Sequence, residues 1–552
     1  MNCEPDNLSG KGTIVFLAVN ASYAHTNLAG WYLRGIAERA GWTWHEVEVT
    51  RNDSLMQTLH RVLQLKPVVL AASFYLFNTH FLISVISRFK AMSPDCLVIG
   101  GGPEFLADNF CFLQRHPEIN AVIRGEGEQA FAAWLEVCRM PGKWKDVKGL
   151  CAFIDGKYTD NGKAELTNDL DAITSPFNGS LNAFKKPFLL METSRGCSGK
   201  CAFCTSAGEK VRFFSLERVV NDLSLISSSG VGEVRIADRT FNENPARCVA
   251  LIKIMREQFK GVRFHLEIDP ARLLADVFRE LILAQPGQFH LEVGIQTTRL
   301  GVLRRIGRVG PVERALSSLN QVCSMKNISV HVDLIAGLPG TGLVDLYADL
   351  RTVAMMQPDE IQLELLKILP GTGLSMETEK YGIIAAGEPP YEILQTMTMS
   401  HDDMVAAQRL SSLVDWFYNP PELHDFFITA AKLVPDFFER MADFCGGLNG
   451  ALQSPSLENR FRFLEQFCRL NAPALIPKLG YAWLKRGLSA QHGICRVTQW
   501  KKQIPRDAVL IEGDGSVDHR RVYLAELDRP YLFVYGHCSG RAGAIYALER
   551  PC

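Results

Sequence analysis

The stretch Glu192-Thr-Ser-Arg-Gly-Cys197-Ser-Gly-Lys-Cys201-Ala-Phe-Cys204 decides how the rest of the chain is read. It follows directly on a short apolar run, Phe188 to Glu192, and sets three thiols at C-x3-C-x2-C spacing in a loop. A structural zinc site closes with four ligands, and an ordinary iron-sulfur cubane also takes four thiolates. Three thiolates on a cubane leave one iron open to an exogenous ligand. Arg195, Lys200 and the backbone amides near Gly196 and Gly199 are placed to favour deprotonated thiols and an anionic group. A zinc site with a distant fourth ligand, or three unconnected thiols, are the alternatives at this point. The chain has 15 cysteines, too sparse for a disulfide scaffold, and the others are scattered singly as small hydrophobes or spare thiols.

Around this loop, six apolar runs recur at about the length of one strand-helix unit: Phe188 to Glu192, Glu233 to Ala237, Arg263 to Ile268, Phe289 to Ile295, Ser329 to Ile335 and Glu360 to Lys367. The pattern predicts a parallel barrel or partial barrel over residues 187–383. The carboxyl ends of its strands carry Asp238-Arg-Thr-Phe-Asn242, Glu267, Glu292-Val-Gly-Ile-Gln296, Asp333-Leu-Ile-Ala-Gly337-Leu-Pro-Gly340 and Glu364. Barrel active sites are built at those ends. Each residue also has an ordinary reading, the glycines as a turn and the carboxylates as internal pairs.

Upstream, residues 1–150 alternate apolar runs with helical segments: Thr13 to Val19, Thr43 to Val49, Pro67 to Ser73, Cys96 to Ile99 and Ile119 to Ile123. Strands separated by crossover helices predict a doubly wound parallel sheet. Ligands of such sheets sit beyond the strand carboxyl ends, which here carry Asn20, Ser73, Gly101, Gly102, Glu104, Gly125 and Glu126. The spaced G-x-G-x-x-G pattern is absent after the first strand, which disfavours a dinucleotide. Residues 151–186 turn polar and read as a linker with one hairpin. Residues 384–552 read as an α+β module, with helices around Asp403 to Phe417, Pro421 to Phe444 and Leu457 to Cys468 and strands at Arg521 to Ala525, Tyr531 to Tyr535 and Ala544 to Leu548.

The whole chain, 552 residues with 59 Lys+Arg against 60 Asp+Glu and 47% hydrophobic, is an ordinary globular composition with room for about three to four domains. The charge balance disfavours nucleic acid or an anionic membrane as the main partner. The N-terminus is polar and the longest nearly apolar stretch, Pro67 to Phe77, is far short of a membrane helix, so a cytoplasmic, unanchored protein is expected.

The cysteine spacing, with Phe203 before the last thiol, resembles that of the radical S-adenosylmethionine (SAM) enzymes. The resemblance implies that Cys197, Cys201 and Cys204 ligate a 4Fe-4S cluster whose open iron chelates SAM, that one electron from a reductant such as flavodoxin or ferredoxin yields a 5′-deoxyadenosyl radical, and that Phe203 lines the adenine. It further implies that Asp238 holds the methionyl amino group, that Glu292 and Gln296 meet the ribose, and that Asp333 and Gly337 approach the ligand. The preceding sheet, with Gly101-Gly102-Pro103-Glu104 and Gly125-Glu126-Gly127-Glu128, resembles the cobalamin-binding members of that family. Their D-x-H-x-x-G loop is missing, since His25 lacks both the Asp two places before and the Gly three after. Asn20-Ala-Ser-Tyr-Ala-His25, Leu365-Leu-Lys-Ile-Leu-Pro-Gly-Thr372 and Pro389-Pro-Tyr-Glu392 extend the likeness to the group with an uncharacterised C-terminal extension.

The function implied is C-methylation of an unactivated carbon in a small-molecule or peptide substrate, with cobalamin as methyl carrier. A cobalamin-dependent rearrangement, cyclisation or ring contraction is the alternative, and an RNA-modifying enzyme a further one, disfavoured because a second cysteine cluster and a basic module are missing. A non-catalytic corrinoid or iron-sulfur binding protein is the reading from another class. Tyr391, His401, Asp402 and Asp403 are further candidates to face substrate.

Overall fold

The computed structural model describes residues 11–178, 186–308, 310–446, 455–489, 493–505, 507–513, 521–535 and 541–548. The chain forms two units, one of residues 1–330, 337–341 and 365–400, the other of residues 331–336, 342–364 and 401–552.

The first unit opens with β1 (Thr13–Asn20), β2 (Thr43–Thr50), β3 (Val69–Ser73), β4 (Leu97–Gly101) and β5 (Ala121–Ile123), followed by β6 (Leu150–Ile154) and β7 (Lys157–Asp160). They form one sheet in the order β2-β1-β3-β4-β5-β6-β7, parallel through β5 and antiparallel thereafter. The hairpin expected in the linker is therefore part of this sheet, which runs on past residue 150 to Asp160. β1 shows why the sheet is doubly wound. Val15, Leu17 and Val19 join Ile86 and Phe89 on one face, whereas Ile14, Phe16 and Ala18 join Phe131 and Trp134 on the other. Every β1 side chain from Ile14 to Val19 is thus apolar, as a strand covered by helices on both sides requires. The chain winds in opposite senses from β1 to β2 and from β1 to β3, which opens a crevice at the strand carboxyl ends.

The same unit continues with β8 (Leu189–Met191), β9 (Ser194–Cys197), β10 (Glu209–Phe213), β11 (Glu233–Ile236), β12 (Arg263–Ile268) and β13 (Phe289–Gln296). β8, β11, β12 and β13 pair side by side in parallel. Their helices, Leu216–Ser228, Pro245–Gln258 and Ala275–Ile282, begin at expected cap chemistry in the first two: the Ser215 and Asn244 side chains accept from Arg218 N and Arg247 N. β9 and β10 interrupt the alternation as an antiparallel pair that brackets the thiol loop. The remaining two expected barrel strands occur as Ile328–Ala336 and Glu360–Leu365, separated by helix Leu343–Met355.

The second unit carries helices His401–Leu413, Pro421–Leu433, Phe437–Gly446, Leu457–Asn471 and Ile476–Lys485, then a five-stranded antiparallel sheet. The helix expected from Pro421 to Phe444 is two helices. Pro435 has no amide to donate, and Asp436 takes a left-handed φ of 55°, so the helix breaks there. Strands Val497–Gln499 and Val509–Gly513 lie in the stretch from Gly493 onward where alternating runs are expected, and both are short and largely exposed, whereas helix Ile476–Lys485 is an element beyond those expected. No helix among the described residues is long and apolar enough to cross a membrane.

Candidate active site

The thiol loop is fixed by its backbone. Gly196 has φ +88°, and a Cβ there would collide with the Lys210 carbonyl across the β9–β10 pair. Ala202 N donates to Ile306 O at 2.7 Å, Leu374 N donates to Ala202 O at 2.7 Å, and Gly208 N donates to Gly199 O at 2.7 Å. Gly199 N donates to Cys197 Sγ at 3.3 Å, and Thr240 Oγ1 lies 3.5 Å from the same sulfur. Burial pushes the Cys201 thiol up, the Arg308 guanidinium opposes this, and the Cys204 and Cys197 thiols add to it. The three thiols therefore feel one another. Among the described residues no group of three His, Cys, Asp or Glu side chains is arranged to hold a metal ion. The cations beside the thiols differ from those expected. Arg308 faces Cys201, and Arg272, which donates to Ser198 Oγ at 3.0 Å, is within electrostatic range of Cys197. Arg308 follows the short helix Leu300–Arg305, where nothing in the sequence marks it as a neighbour of the loop.

Arg195 instead turns to carboxylates. It bonds Glu128 at 2.7 Å and Glu192 at 2.9 Å, and lies over the Tyr32 ring at 5.1 Å. Arg212 forks onto both oxygens of Glu126 and donates to Thr167 O at 2.7 Å. Burial raises the Glu126 carboxyl, but the Arg212 and Arg195 guanidiniums outweigh it and hold the group below its usual range. Glu126 and Glu128 stand at the start of helix Gly127–Val137, just after β5, and Arg195 and Arg212 come from the hairpin that carries the thiols. This buried ion cluster ties the two elements together.

Beside it lies a cavity of about 660 Å³, between the carboxyl ends of the first sheet and those of β8, β11, β12 and β13. Tyr32, Tyr75, Arg239, His265, Glu267 and Glu292 are among its walls. His265 Nε2 sits 2.7 Å from Glu292 Oε2. Burial and the neighbouring Glu292 push Glu267 up to about 7. His25 also reaches the cavity, held by Ser22 Oγ at 2.8 Å from its Nδ1, and burial with Arg235 and Lys186 nearby lowers its pKa.

Asp238 does not face this space. Only 1% exposed, it accepts from Thr193 N at 2.6 Å, Ser194 N at 2.9 Å, Thr193 Oγ1 at 2.5 Å and Ser194 Oγ at 2.7 Å. The carboxylate is filled by protein donors and clamps the start of β9. Gln296, with φ +68°, has a buried Oε1 without a hydrogen-bond partner. A buried amide oxygen left unmatched costs free energy unless a ligand supplies a donor. Gly337 and Gly340 both have positive φ, in a turn whose Pro339 carbonyl accepts from Arg305 Nη1 at 2.8 Å. Phe203 is half-buried in the loop. In the second unit, Asp333 Oδ1 lies 3.4 Å from His331 Nε2.

A second space, about 150 Å³, opens at the ends of β3, β4 and β5 and is walled by Ser73, Gly101, Gly102 and Gly125. Gly102 has φ +106°, and a Cβ there would meet Phe74 O at 2.5 Å. Its width depends on those glycines. Glu104 points elsewhere, accepting a short hydrogen bond from Tyr391 Oη, and burial with Glu388 nearby pushes it up to about 7. The loop bearing Tyr391 is tied to the first sheet again by Arg115 with Glu388 and by His80 Nε2, 3.1 Å from Pro389 O. Tyr391 is thereby committed to Glu104.

Residues 14–135 match the B12 binding domain, residues 191–353 the radical SAM superfamily, and residues 379–480 a protein of unknown function, DUF4080. The chain carries a B12-binding domain followed by a radical SAM domain. An uncharacterized methyltransferase of Pyrococcus horikoshii is 25% identical to it over 285 residues, 49% of this chain and 60% of the relative. The 2-(S-pantetheinyl)-carbapenam-3-carboxylate methyltransferase of Streptantibioticus cattleyicolor is 24% identical over 298 residues, 50% of this chain and 43% of the relative. The chain thus spans 43% to 60% of the length of these two relatives. In fold it resembles the cobalamin-dependent SAM radical enzyme OxsB, solved with aqua-cobalamin and SAM bound, at a TM-score of 0.61 and 15% identity over 88% of this chain and 82% of that one. The DUF4080 match covers the first part of the C-terminal extension, residues 379–480, and its family model carries no assigned function.

Proposed function

We propose that the chain is a cobalamin-dependent radical SAM methyltransferase acting on an unactivated carbon of a small-molecule or peptide substrate. The observation that carries the reading is the 660 Å³ cavity, walled on one side by the ends of the first sheet and on the other by the barrel strands, with the thiol loop's own Gly196 in its wall. The residues fit the groups this chemistry needs: three thiols in a fixed loop, an unmatched buried Gln296 Oε1, and a glycine-walled slot at the ends of β3, β4 and β5.

In this reading Cys197, Cys201 and Cys204 hold a 4Fe-4S cluster, Gln296 and Glu292 meet SAM, and Ser73, Gly101, Gly102 and Gly125 receive part of cobalamin. When bound, these groups supply an electron, a hydrogen-abstracting radical and a transferable methyl group. The protein's own work is positioning. The Arg195 and Arg212 ion cluster holds the segment after β5 against the thiol hairpin, so that the residues that would hold methyl donor and radical source keep one relative position. Glu267, at about 7, carries its proton part of the time at neutral pH and is placed to donate to a substrate oxygen. Asp238 acts through the loop it clamps. We take the domains as residues 1–150 with the hairpin to Asp160 added, 187–383 and 384–552.

The test is anaerobic reconstitution with iron, sulfide and cobalamin, followed by reduction and chromatography. Both 5′-deoxyadenosine and S-adenosylhomocysteine, abolished in Cys201→Ala, are expected with methylcobalamin present. Deoxyadenosine alone, with cobalamin bound, would favour rearrangement or cyclisation without methyl transfer.

A further inference from the structure

The second unit holds a cavity of about 390 Å³ inside the C-terminal module. At about 30 Å³ per water it has room for a ligand the size of an amino acid or dipeptide. Its two helical walls differ in sign. Helix Pro421–Leu433 turns Glu422 and Asp425 toward it, and helix Ile476–Lys485 turns Lys478 and Lys485, with Tyr481 between them. Spacing of three, four and seven residues puts those side chains on one face of each helix. Tyr481 and Tyr531 add an aromatic surface, with ring centroids 5.1 Å apart.

The charges divide unevenly. Glu422 pairs with Arg486 at 3.1 Å and Arg541 at 3.0 Å, and Glu512 pairs with Lys485 at 2.7 Å and accepts from Tyr481 Oη at 2.9 Å. Of the eight charged residues that line the cavity, this leaves Lys478, Asp425 and Asp528 without an ion pair among the described residues, with Asp528 Oδ1 accepting from Arg529 N at 3.1 Å and feeling the Arg529 charge. Opposite charges that face one cavity and stay apart are complementary to a ligand carrying both signs, and aromatic rings add a surface for its apolar body.

We infer that this cavity binds a small zwitterion, an α-amino acid or dipeptide with an apolar side chain. Its ammonium group meets Asp425 and Asp528, its carboxylate meets Lys478, and its side chain lies on Tyr481 and Tyr531. This gives the C-terminal module, of which Asp425 and Lys478 fall within the DUF4080 match, a recognition role separate from the first unit's cavity.

The test is titration calorimetry on the full chain with L-phenylalanine, N-acetyl-L-phenylalanine and L-phenylalaninamide. L-phenylalanine should bind, and each derivative, lacking one charge, should bind about tenfold more weakly, the scale of one charge-assisted hydrogen bond at a partly exposed site. Asp425→Asn with Asp528→Asn should weaken the amide and leave the N-acetyl compound unchanged. Lys478→Gln should do the reverse. All three residues are exposed, so the variants fold. No saturable binding at millimolar L-phenylalanine, equal binding of all three compounds, or variants that do not separate the two derivatives would each overturn the assignment.

Discussion

Asp238 distinguishes a ligand-binding carboxylate from a positioning one. Replacing it with Ala removes the acceptor for Thr193 N, Ser194 N and both hydroxyls in a site only 1% exposed. The hydroxyls can rotate to new partners, but the two amides cannot. Each buried amide left unmatched costs about 1–3 kcal/mol. The hairpin start should therefore lose about 2–6 kcal/mol, or roughly 30- to 20,000-fold in its local opening equilibrium. Hydrogen exchange on peptides spanning residues 193–204 and 209–213 reads that number directly. Asp238→Asn keeps one oxygen for the two amides and should recover most of the protection. Iron content after reconstitution should fall with protection in the Ala variant, because the thiol loop starts at the clamped residues. An Asp238→Ala protein with unchanged exchange and full iron, weakened only in SAM affinity, would refute the clamp and restore the amino-group role.

Arg195→Met should also be costly, because it leaves Glu192 and Glu128 facing each other in a buried site; about 3–5 kcal/mol is expected in unfolding by urea. Gly102→Ala should weaken cobalamin binding, measured from the visible spectrum in equilibrium dialysis, by more than tenfold, since its Cβ would meet Phe74 O at 2.5 Å beside the slot. Glu104 gives a pH test. With its folded pKa pushed up to about 7 from an ordinary 4.5, the folded protein binds the extra proton between those values. Its contribution is present below about 4.5 and is lost as pH rises through about 7. Glu104→Gln should flatten the fall in melting temperature over that window, and an unchanged slope would count against the burial that sets it.

The fold was legible where period and covalent geometry leave few solutions. β1 announced its two covered faces by an unbroken apolar run, and the six strand-helix units announced themselves by their spacing. Helix Pro421–Leu433 was overrun in the reading because Phe and Leu continue at helical spacing through Pro435, whose missing amide outranks them. The thiols were legible as a local motif. What surrounds them was not, since Arg308 and Arg272 reach the loop from distant segments. Asp238 stood at the expected strand end, but position along a strand does not say whether a carboxylate meets ligand or backbone. Glu104 likewise lies in a glycine-rich phrase that walls the slot, yet its side chain turns to Tyr391, 287 residues later in the chain.

The central claim is a three-thiolate cluster with one iron open to SAM, and electron paramagnetic resonance of the anaerobically reconstituted, reduced protein tests it most directly. The account predicts about four irons per chain, a reduced-cluster signal that changes shape when SAM is added, and loss of that signal in Cys201→Ala. A reconstituted protein that takes up zinc instead, or whose cluster signal ignores SAM at saturating concentration, would contradict it.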